Sequence, residues 1–369
     1  MDIRTKLVFA FVAVALASMA TLGAFAYEAT ASLLEQITLR QLDALAESKK
    51  RDLRKVIEGW IDHVQLIGTR TQLRASLVQF SASGAEEERL RIQQILGDAL
   101  GAGAEVSRVT LFDAHGREVV LVGQCELPPA QWVPPPPAGE VLLNAYPRPG
   151  GGADVGLYVP MVRGGETLGA LEVVLDAVEL DNVAENYTGL GETGEVLVVA
   201  QGDPGGPRLL NALRHADDEA SRAAAVEALD VLAALSGQER TFKSDVVDYR
   251  GEPVWSATRY LPEAGWGIVV KVDAAEEEAP VLELRGMLFD LALALGAFAV
   301  LAGTLLGLYM ARPIRSLAEL VQRIRAGETE LRADVRSEDE VAYLGRSLNE
   351  LMDDLARNDA EHRAPWSSP

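Results

Sequence analysis

The sequence is poor in cysteine, histidine and aromatic residues, and acidic side chains far outnumber basic ones. Its 369 residues include a single cysteine, Cys125, so no intramolecular disulfide can form, and we interpret Cys125 as a structural residue. The formal net charge of −21 argues against nucleic acid as a partner, because a phosphate polyanion would meet a surface of like charge. A hydrophobic fraction of 48% excludes a chain that is disordered throughout.

Signatures of metal binding and catalysis are also missing from the sequence. The four histidines lie far apart, and none has the spacing of a metal-ligand pair: His63, His115, His215 and His362. Residues 151–154 superficially resemble the cyclase GGDEF signature but lack its acidic pair, and no glycine-rich ATP-binding box follows His362. We therefore predict no metal site, no cofactor, no catalytic residue and no catalytic domain in this chain.

Two long apolar segments predict transmembrane helices. Residues 7–26 carry no charge, and residues 287–310 carry only Asp290, near their start. Each segment is long enough to cross a hydrocarbon core of about 30 Å. Residues 24–26 also form an A-x-A signal-peptidase site, but the apolar run exceeds the usual signal length of about 7 to 15 residues. We therefore favour an uncleaved anchor over a cleaved signal peptide.

The charges that flank these segments predict the membrane topology. Arg4 and Lys6 precede the first span, and Arg312 and Arg315 directly follow the second. Because basic residues concentrate on the cytoplasmic side, both termini are expected inside the cell and residues 28–286 outside. The expected location is the bacterial inner (plasma) membrane, with the lipid bilayer as a partner and the region between the spans in the periplasm or otherwise extracytoplasmic.

Residues 28–80 predict a stalk made of one long helix or of a pair in line. Their apolar residues recur at steps of three and four: Leu39, Leu42, Ala46, Leu53, Ile57, Trp60, Val64 and Ile67. This spacing is typical of a coiled-coil seam, interrupted once at Lys49, so we predict a dimer stalk whose far end packs on a globular domain. The alternative is the core helix of a single globular domain.

From about residue 81 to 278 the pattern changes to short β-type runs with turns between them. A first set comprises VSRVTLFD, EVVLVG, VGLYVPMV and LGALEVVLD, and a proline-rich irregular loop interrupts it. A second set comprises GEVLVVA, a charged helix over about 217–235, RTFKSDVVDYRGEPVWSATRYL and GWGIVVKVD. The repetition predicts an α+β fold with two lobes, a distal one at about 100–185 and a proximal one at about 189–275.

The runs LYVPMVRGGETLGALEVVLD and DYRGEPVWSATRYLPEAGWGIVVKVD, with the long helix before them, resemble the two halves of a double Cache (extracellular PAS-like) sensor of bacterial receptors. The resemblance covers about residues 28–278 and rests mainly on fold residues: Gly251, Gly265, Trp266 and Gly267. It implies a small-molecule ligand, often an amino acid or a carboxylate, in the cup of the distal sheet. Tyr146, Tyr158, Arg163 and Asp176 are candidates to line that cup, or else ordinary surface and packing residues.

Two short amphipathic patterns follow the second span. The first comprises Ile314, Leu317, Val321 and Ile324, and the second comprises Val341, Leu344, Leu348, Leu351 and Leu355. A non-helical connector at 326–337 separates them. In a homodimer, two such helices from each chain make a parallel four-helix coiled coil. The alternative is a generic coiled coil beneath a membrane anchor.

These residues resemble a HAMP domain over residues 311–357, followed by a solvated tail at 358–369. The resemblance assigns a relay role to seven residues: Pro313, Gly327, Asp339, Glu340, Leu344, Leu348 and Leu351. Pro313 would begin the first helix, Gly327 would permit the chain to leave it, and Asp339 and Glu340 would open the second helix. The sequence departs from the pattern at Thr329, where a leucine is usual, and at Leu348, where a phenylalanine is usual.

Together these patterns predict a homodimeric, membrane-bound signal-transduction receptor. We expect it to sense an extracytoplasmic small molecule and to relay the signal through the second span and the HAMP segment to a cytoplasmic output protein, as in two-component systems. Because only fourteen residues follow Leu355, a truncated sensor histidine kinase or diguanylate cyclase is one alternative. A passive membrane anchor or adaptor that binds a protein partner is another.

Overall fold

The computed structural model describes residues 3–102, 106–123, 134, 136–137, 140–148, 151–202, 206–215, 218–334 and 340–363. The chain divides into two compact units. One consists of Ser32–Pro280, and the other combines Met1–Ala31 with Val281–Pro369. The predicted Cys125 and Asp339 lie outside the described residues.

The helices and strands follow one another in groups, as in an α+β protein. The helices are α1 Ile3–Gly68, α2 Thr71–Ser83, α3 Glu86–Ala102, α4 Val178–Ala184, α5 Glu219–Glu227, α6 Leu229–Leu235, α7 Ala274–Arg325 and α8 Glu340–Arg363. The strands are β1 Val106–Asp113, β2 Glu118–Gly123, β3 Leu142–Pro147, β4 Ala153–Arg163, β5 Glu166–Leu175, β6 Glu195–Gly202, β7 Gly206–Leu209, β8 Thr241–Val247, β9 Pro253–Leu261 and β10 Trp266–Asp273.

The strands form two five-stranded antiparallel sheets in the unit Ser32–Pro280. The distal sheet has the order β2-β1-β5-β4-β3, and the proximal sheet has the order β7-β6-β10-β9-β8. This repetition confirms the predicted two-lobed α+β fold. The strands β3 and β7, which the sequence pattern did not predict, lie at the edges of the two sheets. Both are short and contain proline, β3 as LLNAYP and β7 as GPRL, and proline is depleted in strands.

The turn between β8 and β9 shows why the hairpin needs a glycine. Gly251 has φ +84°, a left-handed conformation that residues with a Cβ rarely adopt. Its amide donates to the carbonyl oxygen of Asp248 at 2.9 Å, which closes the turn. The predicted helix at 217–235 is in fact two helices, because Ala228 between them has an extended backbone at ψ 144°.

The apolar stripe of α1 packs on the chain's own sheets. Its members from Leu42 to Ile67 belong to one buried core: Leu42, Ala46, Leu53, Ile57, Trp60, Val64 and Ile67. That core also contains side chains from the inner faces of both sheets, such as Leu157 and Ile268. The prediction that this stripe is the seam of a dimer stalk is therefore wrong over these residues, because the two sheets of the same chain already cover it. The alternative of a core helix is confirmed.

Lys49, which appeared to break the stripe, is part of the same packing. Its ammonium donates to the carbonyl oxygens of Val183 at 2.7 Å and Asn186 at 2.5 Å. Burial lowers the pKa of Lys49, and the nearby Asp52 charge partly offsets this effect. The amino group thus satisfies carbonyls at the end of α4 that α1 would otherwise leave unbonded.

Two of the described helices, α1 and α7, are long and apolar enough to cross a membrane. The helix α7 runs without a break from Ala274 to Arg325, so it contains both the second predicted span and the first predicted HAMP helix. The prediction that Pro313 begins a helix is therefore wrong, since position 313 lies in the interior of α7. A proline at this position has no backbone N–H, so one hydrogen bond of the helix is missing, but α7 continues on both sides of it.

Candidate ligand site and relay

The distal sheet has one apolar face and one polar face. On β1, Val109 and Leu111 point into the core beneath α1, while Arg108, Thr110 and Phe112 alternate to the opposite, outer face. The outer-face residues of β1 are as buried as the inner ones. A strand with charged and hydroxyl side chains buried on one face is unusual, because burial of a polar group costs free energy unless a hydrogen-bond partner compensates it.

The centre of this outer face is an ion pair between β1 and β5. A guanidinium nitrogen of Arg108 lies 3.4 Å from a carboxylate oxygen of Glu172, and the two side chains are only 1% and 3% exposed. The pair stands on neighbouring strands, where Thr110 and Glu172 are directly opposite each other. Since two charges removed from water must compensate each other, the pair fixes both side chains in place.

Tyr146 on the edge strand β3 completes this cluster. Its hydroxyl donates to the other carboxylate oxygen of Glu172, and its ring lies 5.2 Å from the guanidinium carbon of Arg108. Burial and the Glu172 charge raise the pKa of Tyr146, so the phenol stays neutral. The ring reaches Glu172 across Gly156, where an added Cβ would lie only 2.7 Å from a ring carbon.

Two further hydroxyl residues stand on the same face. Thr110 is fully buried, and its hydroxyl has no hydrogen-bond partner among the described residues. Tyr158 is also buried and packs against Phe112, with the ring centroids 6.0 Å apart. The buried Thr110 hydroxyl is one that a bound molecule or a water satisfies. The face therefore offers a cation, an anion and hydroxyl groups within one small area.

The four predicted ligand-binding residues lie in three different places in the structure. Tyr146 and Tyr158 lie on the outer face described above. Asp176 lies at the end of this face, 3.3 Å from Arg148, which also pairs with Asp181 and with Asp154 at 3.6 Å. Arg163 is exposed at the far end of β4, next to the hairpin, and the structure does not bring it to the cluster.

Three residues of the cluster were not predicted from the sequence: Arg108, Thr110 and Glu172. The available signal was a single charged residue inside an otherwise apolar β run, as in VSRVTLFD and LGALEVVLD. Such a residue is usually at a solvated face, and the sequence alone does not show that a face of the sheet is covered.

The proximal sheet carries a different polar cluster on its own outer face. Lys271 lies 3.1 Å from Glu195 and 3.5 Å from Asp248, and its ammonium is 4.3 Å from the Tyr249 ring centroid. Helices α5 and α6 pack over this face through an apolar cluster that includes Val231 and Ala234. These charges therefore pair with one another beneath two helices.

The carboxylates around Lys271 have opposite pKa shifts. Burial raises the pKa of Asp230, and Lys271 only partly offsets this effect. Asp248 is also buried, which acts to raise its pKa, but Lys271 and the hydrogen bonds from Arg250 lower it below the usual value. In the proximal cluster, the environment thus disfavours ionisation of Asp230 and favours ionisation of Asp248.

In the terminal unit, α7 and α8 leave an apolar groove of about 740 Å³ between them. Six of its lining residues are apolar members of the two predicted patterns: Ile314, Leu317, Val321, Val341, Leu344 and Leu348. The face of α8 buried within the chain is a neighbouring one that contains Ala342 and Met352, while Leu344 and Leu351 are 61% and 57% exposed. In a single chain, three residues of the predicted α8 seam are therefore exposed, Leu344, Leu351 and Leu355, while Val341 and Leu348 are half-buried.

The connector between α7 and α8 is tied to α8 by side chains. The amide group of Asn349 accepts from the backbone N–H of Ala333 at 2.7 Å and donates to its carbonyl oxygen at 3.0 Å. Arg332 pairs with Asp353 at 2.7 Å. Gly327 has φ +107°, so it permits the exit from α7 as predicted, and Glu340 begins α8 as predicted.

Comparison with known proteins gives one family match and several structural similarities. The family model of the HAMP domain matches residues 305–357. The chain is similar to the ligand-binding domain of Campylobacter jejuni chemoreceptor Tlp3 in complex with L-norvaline, with 12% sequence identity, a TM-score of 0.42, and coverage of 66% of this chain and 94% of that chain. It is also similar to the ligand-binding domain of Pseudomonas fluorescens chemoreceptor CtaA in complex with L-leucine, with 14% identity, a TM-score of 0.44, and coverage of 67% and 99%.

No curated protein sequence matches the chain. The match at residues 305–357 confirms the predicted HAMP domain. The chain thus combines two apolar helices, a two-lobed α+β unit and a HAMP domain.

Proposed function

We propose that this protein is a membrane-bound signal-transduction receptor that senses a small polar molecule through its distal lobe. The observation that carries this proposal is the buried polar cluster on the outer face of the distal sheet, formed by Arg108, Thr110, Tyr146 and Glu172. If this sheet face had only a structural role, apolar side chains would give equal or greater stability than a buried ion pair. In a chain with a HAMP domain, such a cluster is best explained as a site that recognises a ligand.

The chemistry of the cluster favours a ligand with polar groups of both kinds. Arg108 provides donors for a carboxylate or a carbonyl, and Glu172 provides acceptors for an amine. Thr110 and Tyr158 add hydroxyl groups on the same face. The two tyrosines are retained from the predicted set, whereas the exposed Arg163 is left out.

The relay is proposed to act in a homodimer. Leu344, which lines the apolar groove between α7 and α8, and Leu351 on the same helix are more than half exposed in one chain, and exposure of large apolar side chains to water is unfavourable. A second copy that covers this groove would complete a four-helix coiled coil. A change in the position of α7 would then alter the packing of the bundle and reach a cytoplasmic output protein.

The proposed location is the bacterial inner membrane, with residues 28–286 in the periplasm. The two apolar helices support the membrane location. The orientation rests on the basic residues beside the cytoplasmic ends of the two spans, Arg4, Lys6, Arg312 and Arg315. In the proposed topology the distal lobe lies in the periplasm.

A thermal unfolding screen tests the sensing function. The unit Ser32–Pro280 would be purified and heated with amino acids, carboxylates, amines and purines. A ligand at 100 times its Kd stabilises the folded state by about 2.7 kcal/mol, which raises the unfolding temperature measurably. Glu172→Gln should abolish the shift, and Arg163→Gln should keep it. A screen without any shift, or a shift that survives Glu172→Gln, would contradict the proposed site.

A further inference from the structure

The chain between the two lobes binds the first turn of α7. This inter-lobe linker, residues 185–194, runs from the end of α4 to the start of β6. Its backbone N–H groups at Glu192 and Thr193 donate to the two carboxylate oxygens of Glu276, each at 2.9 Å. The Thr193 hydroxyl also donates to the Glu276 carboxylate. One carboxylate thus accepts three hydrogen bonds from a segment more than eighty residues away in the sequence.

The linker is shaped to receive this carboxylate. Gly191 has φ +66°, and a Cβ at this position would overlap a carboxylate oxygen of Glu276. The Thr193 hydroxyl also accepts from the backbone N–H of Asp273, the last residue of β10, at 3.1 Å. The end of the proximal sheet, the linker and the start of α7 therefore meet at two side chains, Thr193 and Glu276.

The same linker is held by α1 on its other side. Gln41 donates to the carbonyl oxygen of Gly189 at 3.1 Å, and the Lys49 ammonium donates to the carbonyl oxygen of Asn186. Neighbouring carboxylates on α7 behave differently from Glu276. Glu277 accepts from the Thr38 hydroxyl of α1 at 2.9 Å, and the exposed side chain of Glu278 has no hydrogen bond to a described residue. Glu276 is thus the residue of this turn that contacts the linker.

The Glu276 carboxylate is in the charged form that accepts these hydrogen bonds most strongly. Burial acts to raise its pKa, but the hydrogen bonds from Thr193 and Glu192 outweigh burial, so the pKa lies below the usual value. The carboxylate is therefore ionised at neutral pH and accepts charge-assisted hydrogen bonds, which are the stronger kind.

We propose that Glu276 acts as a latch, meaning that its hydrogen bonds to the inter-lobe linker fix the first turn of α7 in place. Through this contact, Glu276 positions α7 for signal transfer. The role rests on the proposed receptor function, since α7 is the helix that continues to Arg325. A linker that shifts when the distal lobe changes would move Glu276 and the turn that carries it. A linker that releases Glu276 would leave this turn free to move independently.

Hydrogen exchange measured by mass spectrometry on the full chain in lipid nanodiscs tests the latch without any ligand. Glu276→Ala should raise the exchange rate of peptides covering 187–194 and 274–286 by at least about tenfold, the effect of losing even one of the three hydrogen bonds that its carboxylate accepts. Glu278→Ala, on the same turn, is the matched control and should leave both peptides unchanged. Thr193→Val should raise exchange in both peptides, and adding it to Glu276→Ala should have little further effect.

Each result decides the proposal. Unchanged exchange in Glu276→Ala would overturn the latch. Faster exchange in the linker alone, with 274–286 unchanged, would show that Glu276 only caps the linker and would overturn the positioning role. Peptides from β1 and β5 report whether the variant is folded, and Glu276→Gln, which keeps the shape but loses the charge, replaces Glu276→Ala if they exchange rapidly. The experiment uses no ligand, so a failed ligand screen leaves its outcome unaffected.

Discussion

Arg108 and Glu172 form an ion pair that is almost fully buried on the outer face of the distal sheet, with 3.4 Å between the nearest nitrogen and oxygen atoms. Arg108→Leu alone should lower the free energy of unfolding of the unit Ser32–Pro280 by about 3 to 5 kcal/mol, because Glu172 would remain as an uncompensated buried charge. The double variant Arg108→Leu with Glu172→Leu should recover most of this loss. Urea unfolding measures both values. Additive losses in the double variant would show that the two charges do not depend on each other.

Lys49 provides a second test of how α1 is held. Lys49→Met should lower the free energy of unfolding by about 2 kcal/mol, because the carbonyl oxygens of Val183 and Asn186 lose a charged donor. The matched control is Lys55→Met on the same helix. Lys55 is 76% exposed and makes only a surface ion pair with Asp52, so its loss should cost less than about 0.5 kcal/mol. Equal losses in the two variants would contradict the assigned role of Lys49.

Asp230 gives a pH-dependent prediction for the proximal lobe. Since burial raises its pKa in the folded state, ionised Asp230 lowers stability at neutral pH, and protonation relieves this cost as the pH falls through the raised pKa. Asp230→Asn should therefore increase the free energy of unfolding at pH 7.5, and the gain should shrink as the pH approaches the unfolded value of about 3.9. Thermal unfolding of both proteins across this range measures the difference. A variant less stable than the natural protein at every pH would contradict the prediction.

The membrane topology can be checked with single cysteines in a Cys125→Ser background. Glu227 and Arg357 are both exposed, and they lie in the two-lobed unit and the terminal unit respectively. In cells with a permeabilised outer membrane, an impermeant maleimide should label Glu227→Cys rapidly. Arg357→Cys should react only after the inner membrane is lysed. The reverse order of labelling would place the sensor in the cytoplasm.

The sequence predicted those features of the fold that depend on local pattern. The strands β1 and β2 begin and end at the predicted residues, and Gly251 and Gly327 have the backbone conformations expected of them. What the pattern did not show is what covers a given face. The apolar stripe around Leu53 has the same spacing whether a second helix or two sheets pack on it, so the predicted dimer seam was wrong there.

The candidate site was harder to predict for the same reason. Arg108 and Glu172 are 64 positions apart, and only the pairing of β1 with β5 brings them together. Tyr146 was predicted as a ligand-binding residue, but its hydrogen-bond partner Glu172 was not identified from the sequence. Pro313 was assigned from its preference for the first turn of a helix, whereas the continuous helix α7 overrides this local preference.

The central claim is that a molecule bound at the distal cluster changes the packing of the HAMP helices. The most direct test is disulfide cross-linking of Leu348→Cys under mild oxidation, in membranes containing the full chain in the Cys125→Ser background. Leu348 lines the apolar groove, whereas Arg346 lies about 200° around the helix and is exposed, so Arg346→Cys is the control that should cross-link poorly.

A compound that raises the unfolding temperature of the unit Ser32–Pro280 would then be added to these membranes. It should change the rate at which Leu348→Cys forms the cross-linked dimer, and Glu172→Gln in the same chain should remove the change. If the compound stabilises the sensor while the cross-linking rate at position 348 stays the same, or if Glu172→Gln leaves the change intact, then the distal cluster is not the site that drives the relay.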